Sequence, residues 1–240
     1  MKIRKVYLFL LIVVLPQVLS SQQFSIGLKD GVTISGINGR YDFKNFENTD
    51  IENAVGHCFG FILNYQLNKY FILQVEINYE NKGFEFGESL LGGGLEGYYS
   101  MSYLTIPVIA DFEFGKHIKY YGYAGVYIGF LTKAENYTSL SSTSSSELIV
   151  YDLSYDPSNV FNKYEFGGLI GLGIKFPLCE KVKLFIDSRY NFGLTRAAKN
   201  TDFDYESNHW YPDSPDNFQN VYNRSLSISL GILFKLKNKD

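Results

Sequence analysis

The chain has 240 residues and a formal net charge of −3, from 22 basic and 25 acidic side chains, a balance that offers no basic surface to nucleic acid. Two cysteines are too few for a disulfide framework, whereas 20 Tyr, 20 Phe and 22 Gly favour strands and tight turns over helices. Beyond the first residues no run approaches the ~18 apolar residues that a spanning helix needs, which excludes a helical membrane protein.

Residues 1–20 read as a secretory signal peptide. Lys2, Arg4 and Lys5 precede an apolar run from Val6 to Leu15, followed by Pro16 and the small residues Ser20 and Ser21. Cleavage is expected after Ser20, and no cysteine follows the run, so the signal is not that of a lipoprotein. Residues 21–240 are then the mature chain, a length suited to one β domain.

From there the sequence alternates in eight segments: 24–37, 56–67, 70–84, 98–114, 119–131, 163–176, 181–195 and 224–236. In each, every second residue is apolar, as in Phe71, Leu73, Val75, Ile77 and Tyr79 or in Leu226, Ile228, Leu230, Ile232 and Phe234. A period of two places such residues on one face of an extended strand. The connections sort by length. Asn68–Lys69, Gly115–Ile118 and Pro177–Glu180 are short, while the others are long and polar and include the run SLSSTSSS from Ser139 to Ser146. Short turns at one end and long loops at the other are the mark of an outer-membrane barrel. The fold class is therefore all-β: an eight-stranded antiparallel up-and-down transmembrane β-barrel with long external loops and short periplasmic turns.

Aromatic residues gather at the segment ends: Phe71, Phe114, Phe176 and Phe234 at the short turns, and Phe59, Phe61, Tyr79, Phe130, Tyr164 and Phe192 toward the long loops. Two belts flanking an aliphatic band describe a lipid-facing surface, so the charged rows point inward. The expected lumen network is Lys29, Glu76, Asp111, Glu113, Glu165, Lys175, Asp187 and Arg189, with Asp187, Glu165 or Glu76 as the partner of Arg189. An eight-stranded interior is only wide enough for side chains, which argues against an open pore. Two positions strain the pattern. Asp30 falls on the lipid-facing row and requires either a bulge at Asp30–Gly31 or a local water defect, and Pro107 lies mid-strand, where a bulge is expected.

The sequence offers little chemistry. The glycines of GGLIGLG, Gly167 to Gly173, miss the spacing of a phosphate loop and read as relief of crowding inside a narrow barrel. In the last long loop, 200–217, His209 with Asp204 and Ser207 are the residues an outer-membrane protease or acyltransferase would use. Asp202, Asp204 and Glu206 share one face of an extended segment and are the candidates for a divalent cation, although their spacing is not that of an EF-hand. Solvated loop acidity accounts for these residues without either role. His57 and His117 read as interfacial. The reading is a non-enzymatic barrel without a cofactor, embedded as a monomer in the outer-membrane bilayer, with an unidentified external ligand or secretion-complex partner. The rival readings are a rim enzyme, a small-solute porin and a soluble periplasmic barrel that carries a lipid.

Five stretches carry a family resemblance: GLKDGVTIS, YLTIPVIADFEF, YYGYAGVYIGFL, EFGGLIGLGIKF and RYNFGLT, with Tyr103, Leu104, Ile106 and Pro107 the most specific residues. Together they resemble the PorT-like outer-membrane β-barrel family of Bacteroidetes-type bacteria. The resemblance implies an outer-membrane barrel, in a family whose namesake is an accessory of protein secretion. Asp30 departs from the small residue that the family pattern places there.

Overall fold

A computed structural model describes residues 24–41, 50–90, 93–144, 147–158, 160–199 and 218–236. Its strands are β1 (Phe24–Tyr41), β2 (Asp50–Gln66), β3 (Phe71–Leu90), β4 (Gly93–Phe114), β5 (Lys119–Ser144), β6 (Glu147–Tyr155), β7 (Tyr164–Pro177), β8 (Val182–Gly193) and β9 (Phe218–Lys235). Neighbours pair antiparallel in the order β4-β3-β2-β1-β9-β8-β7-β5, and a β4–β5 ladder closes the ring. Eight strands thus form the wall. The ninth, β6, pairs only with the outer part of β5, from Asn136 to Ser144.

Alternation decides which way each residue faces. On β7, Leu172 is 67% exposed, whereas Lys175 is 2% exposed. The exposed rows are the apolar ones, and the buried rows hold Lys, Glu, Asp, Arg, Asn, Ser and Thr. A water-soluble protein would reverse this distribution, so the surface is built for hydrocarbon. Aromatic pairs rim the band. Phe71–Phe112 and Phe114–Tyr120 lie at the short-turn end, with ring centroids 5.2 and 5.7 Å apart, and Phe130–Tyr164 lies toward the other end at 5.7 Å.

The ladders are staggered. Asp30 in the middle of β1 aligns through Leu230, Ile186, Ile174 and Tyr120 with Phe114 at the very end of β4, a drift that tilts every strand against the barrel axis. Local chemistry closes the short turns. Asn68 Oδ1 accepts the amides of Tyr70 and Phe71 at 2.9 and 3.0 Å, and Gly115 supplies a φ of 105° that a side chain would disfavour.

Three details depart from the sequence reading. The β1 ladder runs unbroken from Phe24 to Ser35, so no bulge turns Asp30 inward and it stays on the lipid-facing side. Register is also kept past Pro107, with Val75 opposite Val108 and Asn78 opposite Thr105, because the missing amide interrupts the ladder without adding a residue. The shifts occur instead at Asn38/Arg40, Asn53/Cys58 and Ser102/Tyr103, toward the outer ends of the strands. Finally, much of the polar sequence expected as loop is strand. β3 and β4 pair as far as Leu90 and Gly93, and Ser139–Ser144 belong to β5, where the serines are held in a ladder by the apolar-rich β6 segment ELIVYDLSY.

Candidate functional site

The inward rows meet in three polar tiers. Nearest the short turns, Lys175 Nζ donates to Asp111 at 2.7 Å and to Glu113, and lies 4.2 Å from the ring centroid of Tyr121. In the middle tier, Arg189 grips Glu76 with two parallel hydrogen bonds of 2.7 Å, while Lys29 donates to the same carboxylate at 2.8 Å. Asn78 and Gln74 donate to it as well, so Glu76 accepts from four side chains. Arg189 Nε also reaches the Tyr123 hydroxyl at 3.2 Å, which donates to Asp187 at 3.1 Å. In the outer tier, Lys82 lies 3.2 Å from Glu165 and 3.6 Å from Glu80, while Tyr127, and Asn223 at 2.7 Å, also donate to Glu165. A forked guanidinium on a carboxylate is the geometry that best repays burial of both charges.

Lys29, Glu76, Asp111, Glu165, Lys175, Asp187 and Arg189 all lie in these tiers, and Glu76 is the carboxylate that Arg189 takes. Sequence reasoning missed Glu80 and Lys82, although both follow Glu76 in the same period-two row, and it missed Tyr121, Tyr123 and Tyr127, whose amphipathic rings suit either face. Those tyrosines explain three of the four glycines of β7. A methyl group on Gly167, Gly171 or Gly173 would fall inside the rings of Tyr127, Tyr123 and Tyr121 respectively. Six buried carboxylates face four buried cations in the tiers, and Asp111 Oδ1 and Asp187 Oδ1 have no hydrogen-bond partner. The interior is therefore filled and acidic.

An apolar cap lies above the tiers. Phe161, wholly buried, meets Tyr99 edge to face at 5.8 Å, and Tyr99 stacks on Phe84 at 4.8 Å. Met101, Tyr103, Ala134, Ala197, Ala198 and Val221 complete the cluster. Backbone bonds tie the covering segments down: the Asn162 amide to the Ala197 carbonyl, the Ala197 amide to Val221 and the Lys199 amide to Val160, at 2.7, 2.7 and 2.9 Å. The approach to Phe161 starts with a turn at Asp156, whose carboxyl is held below its ordinary range by the Ser158 hydroxyl first and the Ser158 amide second.

The rim candidates His209, Asp204 and Ser207, the cation candidates Asp202 and Glu206, and the signal segment 1–20 lie outside the described residues. His57 faces outward, where it lies 2.6 Å from Asp30.

An apolar exterior around a filled polar interior, closed in a ring of eight strands, is matched by a family model covering residues 20–199, that of the outer membrane protein beta-barrel domain. The chain belongs to this family. No curated protein matches it in sequence. Among solved structures, the barrel is similar to the outer membrane protein OprG from Pseudomonas aeruginosa, with 13% identity, 90% of this chain and 97% of that one covered, and a TM-score of 0.49. It is also similar to Neisserial surface protein A, with 14% identity, coverage of 88% and 97%, and a TM-score of 0.41. Family membership together with the inverted burial places the barrel in the outer membrane.

Proposed function

We propose that the chain is a non-enzymatic barrel that acts through its external surface and passes no solute through its lumen. The observation that carries this reading is the filled cross-section, with Glu76 held by Arg189 and Lys29 across the middle and Phe161 packed on Tyr99 above it. A diffusing sugar would have to displace charges that lie within hydrogen-bond distance of one another in a site without bulk water, at a cost of several kcal/mol. In the same reading, residues 1–20 direct export and are removed. The motif around Tyr103 and Pro107 supports a PorT-like chain of a Bacteroidetes-type bacterium, and Tyr103 accepts a hydrogen bond from Asn223 at 3.2 Å beneath the cap.

Liposome swelling tests the closed lumen. Vesicles containing the refolded barrel should swell in isotonic arabinose no faster than protein-free vesicles. Sugar entry that grows with the protein-to-lipid ratio would establish an open pore and sink the proposal.

A further inference from the structure

The outward face of β1 and β2 carries a feature that a bilayer cannot satisfy. Asp30 Oδ1 and His57 Nε2 are 2.6 Å apart, and their side chains are 65% and 57% exposed. Asp30 lies between Leu28 and Val32 on a row that runs from Phe24 to Ile34, all of it exposed, so the carboxylate is well inside the aliphatic band. Among the described residues, no other carboxylate or imidazole faces outward in that band. The unbroken ladder on both sides of Asp30 rules out a local slip as the cause.

Two apolar features adjoin the pair. On the β2 side, Phe59 and Phe61 meet edge to face at 5.5 Å and form a ridge, with Phe61 57% exposed. A groove of about 440 Å³ opens at Asp30, bounded on the β2 side by Phe59 itself, and crosses β9 and β8 to the end of β7, walled by Leu28, Leu230, Ile232, Ile186 and Phe176. Phe61 pairs with Leu28 across the ladder, so the ridge adjoins the β1 wall of the groove.

We infer that this face binds a second copy of the chain, about a two-fold axis along the membrane normal that passes beside the Asp30–His57 pair, between β1 and β2. Such an axis keeps every residue at its own depth and sets β1 of each copy against β2 of the other. The Phe59–Phe61 ridge of each copy then lies against the β1 edge of its partner's groove, at Leu28, and the two Asp30–His57 pairs meet at the axis. The face is complementary to itself in its acid and base groups. Each carboxylate gains a second imidazole and each imidazole a second carboxylate, and all four groups leave lipid. A lipid tail could fill the groove but would leave the pair unsatisfied. A single-chain barrel, the expectation from sequence, would keep both polar groups in hydrocarbon.

The test uses the full mature chain refolded in phosphatidylcholine vesicles at low density, in a Cys179→Ser background that leaves only the buried Cys58. Val32→Cys, one position from the axis, should give a disulfide-linked dimer on mild oxidation. Val108→Cys, on the outward face of β4 away from β1, should not. Adding Asp30→Leu and His57→Leu to Val32→Cys should reduce the linked product to the Val108→Cys level, while the barrel still folds and resists urea at least as well as before. Equal cross-linking at Val32→Cys and Val108→Cys, or undiminished linkage after the double leucine change, would overturn the proposal. So would a Val32→Cys adduct in native outer membranes made with a different protein and not with the chain itself.

Discussion

Truncating Arg189 to Ala tests whether the tiers hold the barrel together. The side chain is 2% exposed and makes three hydrogen bonds, two of 2.7 Å to Glu76 and one of 3.2 Å to the Tyr123 hydroxyl. Its loss leaves Glu76 with Lys29 at 2.8 Å, but the middle tier then holds Glu76 and Asp187 against a single cation. Removing one member of a buried ion pair typically costs about 3 to 5 kcal/mol. Lys29 retains part of the compensation for Glu76, and the cavity left by the guanidinium offsets that relief, so the expected loss lies within the same range. Adding Asp187→Asn restores the charge balance and should recover at least about 1 kcal/mol. Ile186→Arg, on the outward row of the same strand, provides the opposite test, because a cation facing lipid should cost up to ~2 to 4 kcal/mol and slow insertion. Urea-driven unfolding from lipid vesicles, followed by the mobility difference between folded and heated barrels on a gel, gives all three values. If Arg189→Ala matches or exceeds the parent chain while Ile186→Arg inserts normally, the inside and the outside have been assigned the wrong way round.

Two further outcomes follow from the packing. Gly171→Ala should cost about 1 to 3 kcal/mol by driving a methyl group into the Tyr123 ring, and a double-mutant cycle with Tyr123→Leu should show that much of the cost is shared; strictly additive losses would mean that the two residues do not touch. Cys179 is exposed in a short turn and Cys58 is buried beside Ser229, so a maleimide should label the folded chain once and the denatured chain twice, and non-reducing mass analysis should find both thiols free.

The period-two rows determined by themselves which residues could share a face. Because Glu165, Lys175, Asp187 and Arg189 alternate with Phe166, Ile174, Ile186 and Tyr190, only one assignment keeps charge out of hydrocarbon, and the barrel follows from it. Turn lengths added the strand count, since Asn68, Gly115 and Pro177 each punctuate a reversal. Neither signal carries the stagger between strands, and stagger decides which inward residues meet. Arg189 and Glu76 are 113 positions apart, and only ring closure brings the guanidinium to that carboxylate and not to Asp187 on its own strand. The same holds for the tyrosines of β5, whose faces are ambiguous until the β7 glycines leave room for their rings, and for Phe161, whose burial depends on a backbone bridge to Ala198. Asp30 shows the limit from the other side. In one dimension it reads as an error of phase, because alternation has no information about the neighbouring strand; the β1–β2 ladder supplies His57 as its partner and leaves the pair facing outward. Pairing energy between strands, summed around a closed ring, sets that register, and no single strand contains it.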